Sequence, residues 1–227
     1  MSSVAGAPPR RVRLLALLRG SASIPSTGWT AGHVWRPTPG SFVALLAGLW
    51  LFGTGEAFLL AARLGATPWT VLAQGVSLRT GWAIGWSTFA ISCVVLLLWW
   101  PLRQRPGLGT VLNIVVIAVA LEVMYTWLPE PDGYAVRLAF ALVGIAMIGL
   151  GSGFYLTAGH GPGPRDGWMT GLHWRTGWPV GRIRLCIEVT VLVAGWLLGG
   201  TVGVGTLLFA LLIGQSLALS LRLVDRF

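Results

Sequence analysis

The sequence predicts an all-α membrane protein of about six transmembrane helices, built as two inverted three-helix repeats that each carry a short re-entrant or interfacial helix. Two observations lead to this prediction. The 227 residues are 55% hydrophobic and 10% charged, with a mean hydropathy of +0.75, whereas soluble domains carry about 25% charged residues. In addition, residues 53–117 align without a gap on residues 149–213, with roughly a third of the positions identical, which indicates an internal repeat.

Short motifs mark the repeat most clearly. The run Arg-Thr-Gly-Trp at 79–82 recurs at 175–178, and Gly-x-Gly-Thr at 107–110 recurs at 203–206. Each copy is predicted to cross the membrane three times. Because three is an odd number, the second copy would be inverted relative to the first, as in many secondary transporters.

Six apolar stretches have about the 20 residues that a helix needs to span a bilayer. They lie at 41–62, 81–100, 108–128, 135–158, 180–199 and 203–222. We expect them to be helical, because lipid offers no partners to open backbone groups. The predicted regions are a basic cytoplasmic tail and linker at 1–40, a first membrane repeat at 41–128, an extracytoplasmic loop at 129–134, and a second membrane repeat with a short tail at 135–227. The apolar core within 10–19 is about five residues, too short for a signal peptide.

A short helix is predicted between the first and second spans of each repeat. The two helices begin at Pro68 and Pro164, since proline is well tolerated at the first helical position, and end near Leu78 and Trp174. Such a helix is about 16 Å long, less than the bilayer core of about 30 Å. It therefore either lies in the interface or re-enters the membrane, and the sequence leaves both open.

The charge pattern indicates membrane topology rather than a nucleic-acid partner. The net charge of +9 comes from 16 arginines without any lysine. With the N-terminus inside, 13 arginines fall on the cytoplasmic side and three outside, as the positive-inside rule requires. We expect a multi-pass protein of a bacterial cytoplasmic membrane, surrounded by lipid, with both termini in the cytoplasm.

Three acids lie within predicted spans, where a charge costs a few kcal/mol and usually serves function. Their repeat equivalents are not acidic, so a site rather than the scaffold requires them. A carboxyl group there can bind and release a proton, which makes these acids candidates for coupling. The predicted substrate or coupling residues are Glu56, Glu122, Glu188, Asn113 and Gln215.

Neutralisation of each acid by an arginine or a hydrogen bond is the alternative. For Glu188 that partner would be Arg184, four residues earlier on the same helix face. Arg79 and Arg175 follow the two short helices, where they either stabilise the helix dipole or act as gates. Arg165 and Asp166 lie at the start of the second short helix, and we consider them, with the same two arginines, as gate or anion-binding candidates.

We expect no enzymatic activity, no metal and no cofactor. His160, Asp166 and His173 share one loop but lack the paired His/Cys spacing of a zinc site. The chain also lacks a recognisable set of nucleophile, base and orienting group, so no catalytic residue is predicted.

Several stretches resemble the YczE/YyaS/YitT family of bacterial integral membrane proteins, over about residues 40–220. These stretches are ATPWTVL at 66–72, WPLRQRPGLGTVLN at 100–113, GPGPRDGWMTGL at 161–172, RLCIEVTVL at 184–192 and GWLLGGTVGVGT at 195–206. The resemblance implies a multi-pass cytoplasmic-membrane protein and supplies no substrate. In related sequences we expect an Asp after the Pro-Trp pair, where this chain has Thr70. The first half then lacks the acid that Asp166 provides in the second.

The leading functional prediction is a secondary transporter or exporter of an unidentified small molecule, with its site near the middle of the membrane between the repeats. The alternative is a membrane scaffold that binds a cytoplasmic protein through exposed groups of the 159–184 loop. These groups are His160, Arg165, Asp166, Trp168, His173 and Trp174. The sequence leaves homo-oligomerisation open.

Overall fold

The computed structural model describes residues 25–226, so the 10–19 segment lies outside the described residues. These residues form eight helices and no strand. The helices are α1 (Pro39–Ala61), α2 (Pro68–Thr80), α3 (Ile84–Leu97), α4 (Leu108–Trp127), α5 (Tyr134–Thr157), α6 (Pro164–Thr176), α7 (Val180–Leu197) and α8 (Val204–Val224).

The repeat motifs stand at helix ends. Both short helices, α2 and α6, begin at the predicted proline and run two residues past the predicted ends. Gly81 and Gly177 follow them in the left-handed conformation, with φ of 74° and 70°, which glycine adopts without strain. The Gly-x-Gly-Thr motifs begin α4 and α8, where the threonine hydroxyl accepts a hydrogen bond from the N–H of the first glycine.

Four helices, α1, α4, α5 and α8, are long and apolar enough to cross a membrane. Helices α2 and α3 add a fifth crossing if they form one broken span, bent by 115°. Helix α3 has 14 residues, about 21 Å, and ends earlier than predicted because the chain enters turns at Leu98. Helix α7 has 18 residues but carries Arg182, Arg184 and Glu188. The structure thus supports a multi-pass membrane protein, while the six-span arrangement stays a prediction.

A shift of 96 residues carries each of the first four helices onto one of the last four, and α2 onto α6 at both ends. The equivalent helices α1 and α5 pack against each other at two glycine pairs. A Cβ on Gly55 would lie 2.6 Å from the Gly144 carbonyl oxygen, and one on Gly48 would lie 2.8 Å from that of Gly151. Early residues of α1 thus meet late residues of α5, so these two helices run antiparallel.

The loops after α1 and α5 link the two halves in the same symmetric way. The Leu64 carbonyl accepts a hydrogen bond of 2.7 Å from the N–H of Gly205 at the start of α8. The equivalent His160 carbonyl accepts one of 2.8 Å from the N–H of Gly109 at the start of α4. Because each bond joins one half to the other, neither half is a separate unit.

The two halves differ where the third helix of each half meets the fourth. Helix α3 packs on α4, and a Cβ on Gly85 would lie 2.7 Å from the Ala118 carbonyl oxygen. Helix α7 instead packs on α2 and α6, and among the described residues it makes little or no contact with α8. The glycines equivalent to Gly85 and Ala118 are Gly181 and Gly214, and neither has an atom within 4 Å of its Cβ position. We call these two regions the α3–α4 seam and the α7–α8 seam.

The segment before α1 packs against the end of α5. The N–H of Ala31 donates to the Ala158 carbonyl at 3.0 Å. His160 lies beneath this segment with 1% of its surface exposed, and its ring nitrogens hydrogen-bond with the Val34 carbonyl and the Ser41 hydroxyl. His160 is therefore a buried residue that anchors residues 31–41, rather than a group displayed to the cytoplasm.

Candidate functional site: a charged cavity between the repeats

A cavity of about 360 Å³ lies between the two halves, within the size range of small-molecule sites. Its lining residues include six pairs that the 96-residue shift relates. The pairs are Phe52 with Ile148, Glu56 with Ser152, Thr67 with Gly163, Trp69 with Arg165, Asn113 with Phe209, and Ile117 with Ile213. Because both members of each pair face one cavity, the cavity lies between equivalent segments of the two repeats.

The N-termini of the two short helices converge on this cavity. Trp69 in the first turn of α2 contacts Trp168 of α6, with ring centroids 6.5 Å apart. Trp99 fixes the start of α6, because its indole Nε1–H donates to the Pro164 carbonyl at 2.8 Å. The positive ends of two helix dipoles therefore point toward the same space.

Glu56 is the most buried charged group of the cavity, with 1% of its surface exposed. Its Oε1 lies 3.3 Å from Nη1 of Arg165 in the other repeat, and the Thr67 hydroxyl approaches the same oxygen at 3.5 Å. Its Oε2 is buried and has no hydrogen-bond partner among the described residues. One carboxylate oxygen of a residue that lines the cavity is therefore left without a hydrogen bond.

Arg165 is held on both sides. Its guanidinium lies 5.0 Å from the ring centroid of Trp69, within the range of a cation–π interaction. Trp69 is the residue that the 96-residue shift relates to Arg165, so the side chains at two equivalent positions are in contact. The Arg165 side chain thus connects α6 to both α1 and α2 of the first half.

The remaining charged groups of the cavity belong to the second half. Asp166 accepts a hydrogen bond of 2.6 Å from the hydroxyl of Tyr155. Arg184 and Glu188 form an ion pair of 2.9 Å one turn apart on α7, with side chains 50% and 30% exposed. The local Arg184–Glu188 pair expected from the spacing is therefore present. Three acids and two arginines line the cavity in total.

The structure brings together five of the residues proposed from the sequence. Glu56, Glu188, Asn113, Arg165 and Asp166 all line the cavity. Arg165 and Asp166 therefore line the same cavity as two of the candidate coupling acids, Glu56 and Glu188.

The other four proposed residues lie outside the cavity. Glu122 is half-buried in the α3–α4 seam, where its Oε2 accepts a hydrogen bond of 2.8 Å from the Gly85 N–H. Gln215 is exposed on α8. Arg79 and Arg175 donate to the carbonyls of Leu198 and Pro101, so each ties the end of a short helix to a neighbouring turn.

Sequence reasoning missed several lining residues. Ser152 and Trp69 are repeat equivalents of Glu56 and Arg165, so the repeat itself could have identified them. Thr67 and Tyr155 carried no such signal, because their roles depend on the tertiary approach of α2 to α1 and of α6 to α5. Among residues 25–226, no group of three or more metal-ligating side chains is placed to hold a metal ion.

These features define a multi-pass helical membrane protein with a charged cavity between two repeats. The chain belongs to a family of unknown function, DUF6198, whose sequence model matches residues 40–222. It is 43% identical over 203 residues to an uncharacterized protein of Haemophilus influenzae, covering 89% of this chain and 93% of that protein. It is 34% identical over 177 residues to the uncharacterized membrane protein YczE of Bacillus subtilis, covering 77% and 82%.

These relatives confirm the family resemblance seen in the sequence. No solved structure matches the chain.

Proposed function

We propose that the protein is a secondary transporter or exporter of a small molecule, and that the charged cavity is its substrate site. The carrying observation is the position of this cavity, since it lies between two related repeats and holds a buried ion pair, Glu56–Arg165, that joins them. Transporters built from inverted repeats place their sites at this interface, often beside the N-termini of short helices.

The proposal includes six membrane crossings in two inverted sets of three. The antiparallel packing of the equivalent helices α1 and α5 supports the inversion, because equivalent helices of inverted repeats run in opposite directions. In this arrangement α3 and α7 are the remaining crossings, and α2 and α6 are half-helices that enter from opposite sides. Polar groups and non-helical chain are tolerated at that depth where they line a cavity.

The difference between the two seams supports alternating access. The α3–α4 seam is closed and the α7–α8 seam is open. In a carrier made of two related halves, exchanging these two conformations moves the opening from one side to the other. The contact between Glu56 and Arg165 should change during this exchange, because the two residues belong to different halves.

Most of the residues that suggested a scaffold function are not displayed on the surface for a protein partner. His160 is buried, Arg165 and Asp166 line the cavity, and Trp168 packs against Trp69. Within the 159–184 segment, Trp174 and Trp178 are exposed, at 75% and 57%. Exposed tryptophans near span ends are common at membrane interfaces, so the cavity is the better basis for function.

Cysteine accessibility tests the transporter proposal without a known substrate. Cys93 and Cys186, the two cysteines of the chain, are replaced by serine, and Ser152→Cys places a thiol in the cavity with little change in volume. Ser87→Cys is the matched control, since both serines are buried and both hydroxyls bond a carbonyl four residues earlier. Oriented proteoliposomes are treated with a membrane-impermeant maleimide from one side at a time.

A carrier exposes its cavity to each side in turn, so the thiol of Ser152→Cys should react from both sides while that of Ser87→Cys reacts from neither. Reaction of Ser152→Cys from one side only, at every time point, would contradict alternating access and favour a static protein.

A further inference from the structure

The unpartnered Oε2 of Glu56 identifies the group that a ligand must satisfy. A buried carboxylate oxygen without a partner costs free energy, and burial in membrane increases that cost. The other oxygen already approaches Arg165 and Thr67. A ligand that donates a hydrogen bond to Oε2 therefore gains more than one that presents an acceptor.

The charges around the cavity indicate the sign of that ligand. Arg184 is paired with Glu188, and Arg165 is held between Glu56 and Trp69. Asp166 receives the Tyr155 hydroxyl, which is neutral. With three acids against two arginines, the lining has one negative charge in excess.

The positive ends of the two helix dipoles at the cavity are stabilised by groups at the start of the same helices. Asp166 is an acid in the first turn of α6, where a negative charge offsets the dipole. At α2, the Thr67 hydroxyl caps the helix by accepting from the Thr70 N–H at 3.2 Å. Neither helix start therefore requires an anionic ligand.

Apolar side chains form the rest of the lining. Phe52, Ile148, Phe209, Ile213 and Leu217 come from α1, α5 and α8. Such walls favour a hydrocarbon body through the burial of apolar surface. The cavity thus combines one unsatisfied acceptor, one more acid than arginine and a nonpolar surface.

We propose that the cavity binds a monovalent organic cation, a protonated amine on a compact apolar body, with its N–H donating to Oε2 of Glu56. As a statement about a transported substrate this rests on the proposed function, whereas as a statement about a binding site it stands separately. The ammonium group then shares the Glu56 carboxylate with Arg165, which lies 3.3 Å from Oε1 and over the Trp69 ring. Binding in this way weakens the ion pair that joins the two repeats.

The test measures thermal unfolding of the full chain in lipid nanodiscs with three probes of similar size and different charge. The probes are benzylammonium, benzyl alcohol and benzoate. A ligand that binds only the folded state raises the unfolding temperature, and the stabilisation grows with the logarithm of its concentration above Kd. We expect concentration-dependent stabilisation by benzylammonium alone.

Three variants locate the site. Glu56→Gln keeps the shape and removes the charge, so benzylammonium should bind at least tenfold more weakly. Glu56→Asp keeps the charge and shortens the side chain, so it should weaken binding while preserving the preference for the cation. Glu130→Gln is the matched control and should bind as the wild type does, because Glu130 is exposed and pairs with Arg63 outside the cavity.

Each contrary outcome has a separate meaning. Stabilisation by benzoate or by benzyl alcohol equal to that by benzylammonium overturns the cationic assignment, as does unchanged benzylammonium binding in Glu56→Gln. Absence of stabilisation by all three probes overturns it too. If Ser152→Cys still reacts from both sides, the transporter proposal survives that failure. If benzylammonium binds through Glu56 but Ser152→Cys reacts from one side only, the cation site is supported and the transporter proposal is contradicted.

Discussion

At the scale of single residues, glycines set the distance between α1 and α5. Gly55 and Gly144 face each other, and a Cβ on either would lie 2.6 Å from the carbonyl oxygen of the other. The contact is between the backbones of the two helices, so a Cβ added at either glycine cannot be accommodated by the movement of a flexible side chain. Small residues at helix crossings commonly allow such close approach in membranes.

We therefore expect Gly55→Ala to lower the free energy of unfolding by about 1–3 kcal/mol through overpacking. Reversible unfolding in mixed micelles measures this change. Gly214→Ala is the control, since a Cβ there meets no atom within 4 Å, and it should leave stability unchanged or slightly higher. An equal decrease in the free energy of unfolding for both variants would contradict the close α1–α5 contact at Gly55.

Glu122 illustrates how a polar residue inside a span can serve structure. Its Oε2 accepts the N–H of Gly85 at the start of α3, where no intrahelical partner exists. The sequence showed that Glu122 is an acid within an apolar stretch, but it did not show the residue that faces it. Glu56 and Glu122 looked alike in sequence, and only the packing of α3 on α4 separates them.

Replacing Glu122 with Ala should destabilise the protein by about 1–3 kcal/mol, because the buried Gly85 N–H loses its acceptor. Glu122→Gln retains a side-chain oxygen at that place and should stay close to the wild type. The same unfolding assay compares the two variants. If Gln destabilises as much as Ala does, the negative charge rather than the hydrogen bond is what matters.

At the scale of helices, the ends proved more predictable than the contacts. Pro68 and Pro164 gave the starts of α2 and α6, because proline restricts local backbone geometry, whereas both helices run two residues past their predicted ends, up to the glycines at 81 and 177. The early end of α3 had no comparable signal in its apolar sequence. The open α7–α8 seam had a partial signal, because Glu122, which bonds the Gly85 N–H in the α3–α4 seam, corresponds to Ala218 in the second half.

The open seam leads to a prediction about movement. If α7 closes on α8 as α3 closes on α4, Gly181 must approach Gly214 as Gly85 approaches Ala118. Gly181→Leu should fold normally, because its Cβ position is free of neighbours within 4 Å, yet it should prevent closure.

In the Ser152→Cys background we expect Gly181→Leu to restrict maleimide reaction to one side, and Gly181→Ala to have a smaller effect. Unfolding temperatures of both variants serve as the control for folding. Unchanged two-sided reaction in Gly181→Leu would mean that this seam does not close during the cycle.

At the scale of the whole molecule, the repeat could be read from the sequence, and its 96-residue shift relates helices, loop contacts and cavity linings alike. The sequence could not show that equivalent residues meet. The Arg165 guanidinium lies over the ring of its equivalent residue Trp69, and Glu56 faces Arg165 from the opposite half. These contacts depend on how the halves interlock, which an alignment of the two copies does not contain.

The most direct test of the central claim is the membrane side of two equivalent residues. Thr80 and Thr176 end α2 and α6, are exposed, and have the same hydrogen bond to a carbonyl four residues earlier. In the chain without Cys93 and Cys186, Thr80→Cys and Thr176→Cys are each treated with impermeant maleimide on intact cells and on inverted vesicles. Two inverted repeats require the two cysteines to react from opposite sides of the membrane. Reaction of both from the same side would contradict the inversion, and with it the transport cycle proposed for this cavity.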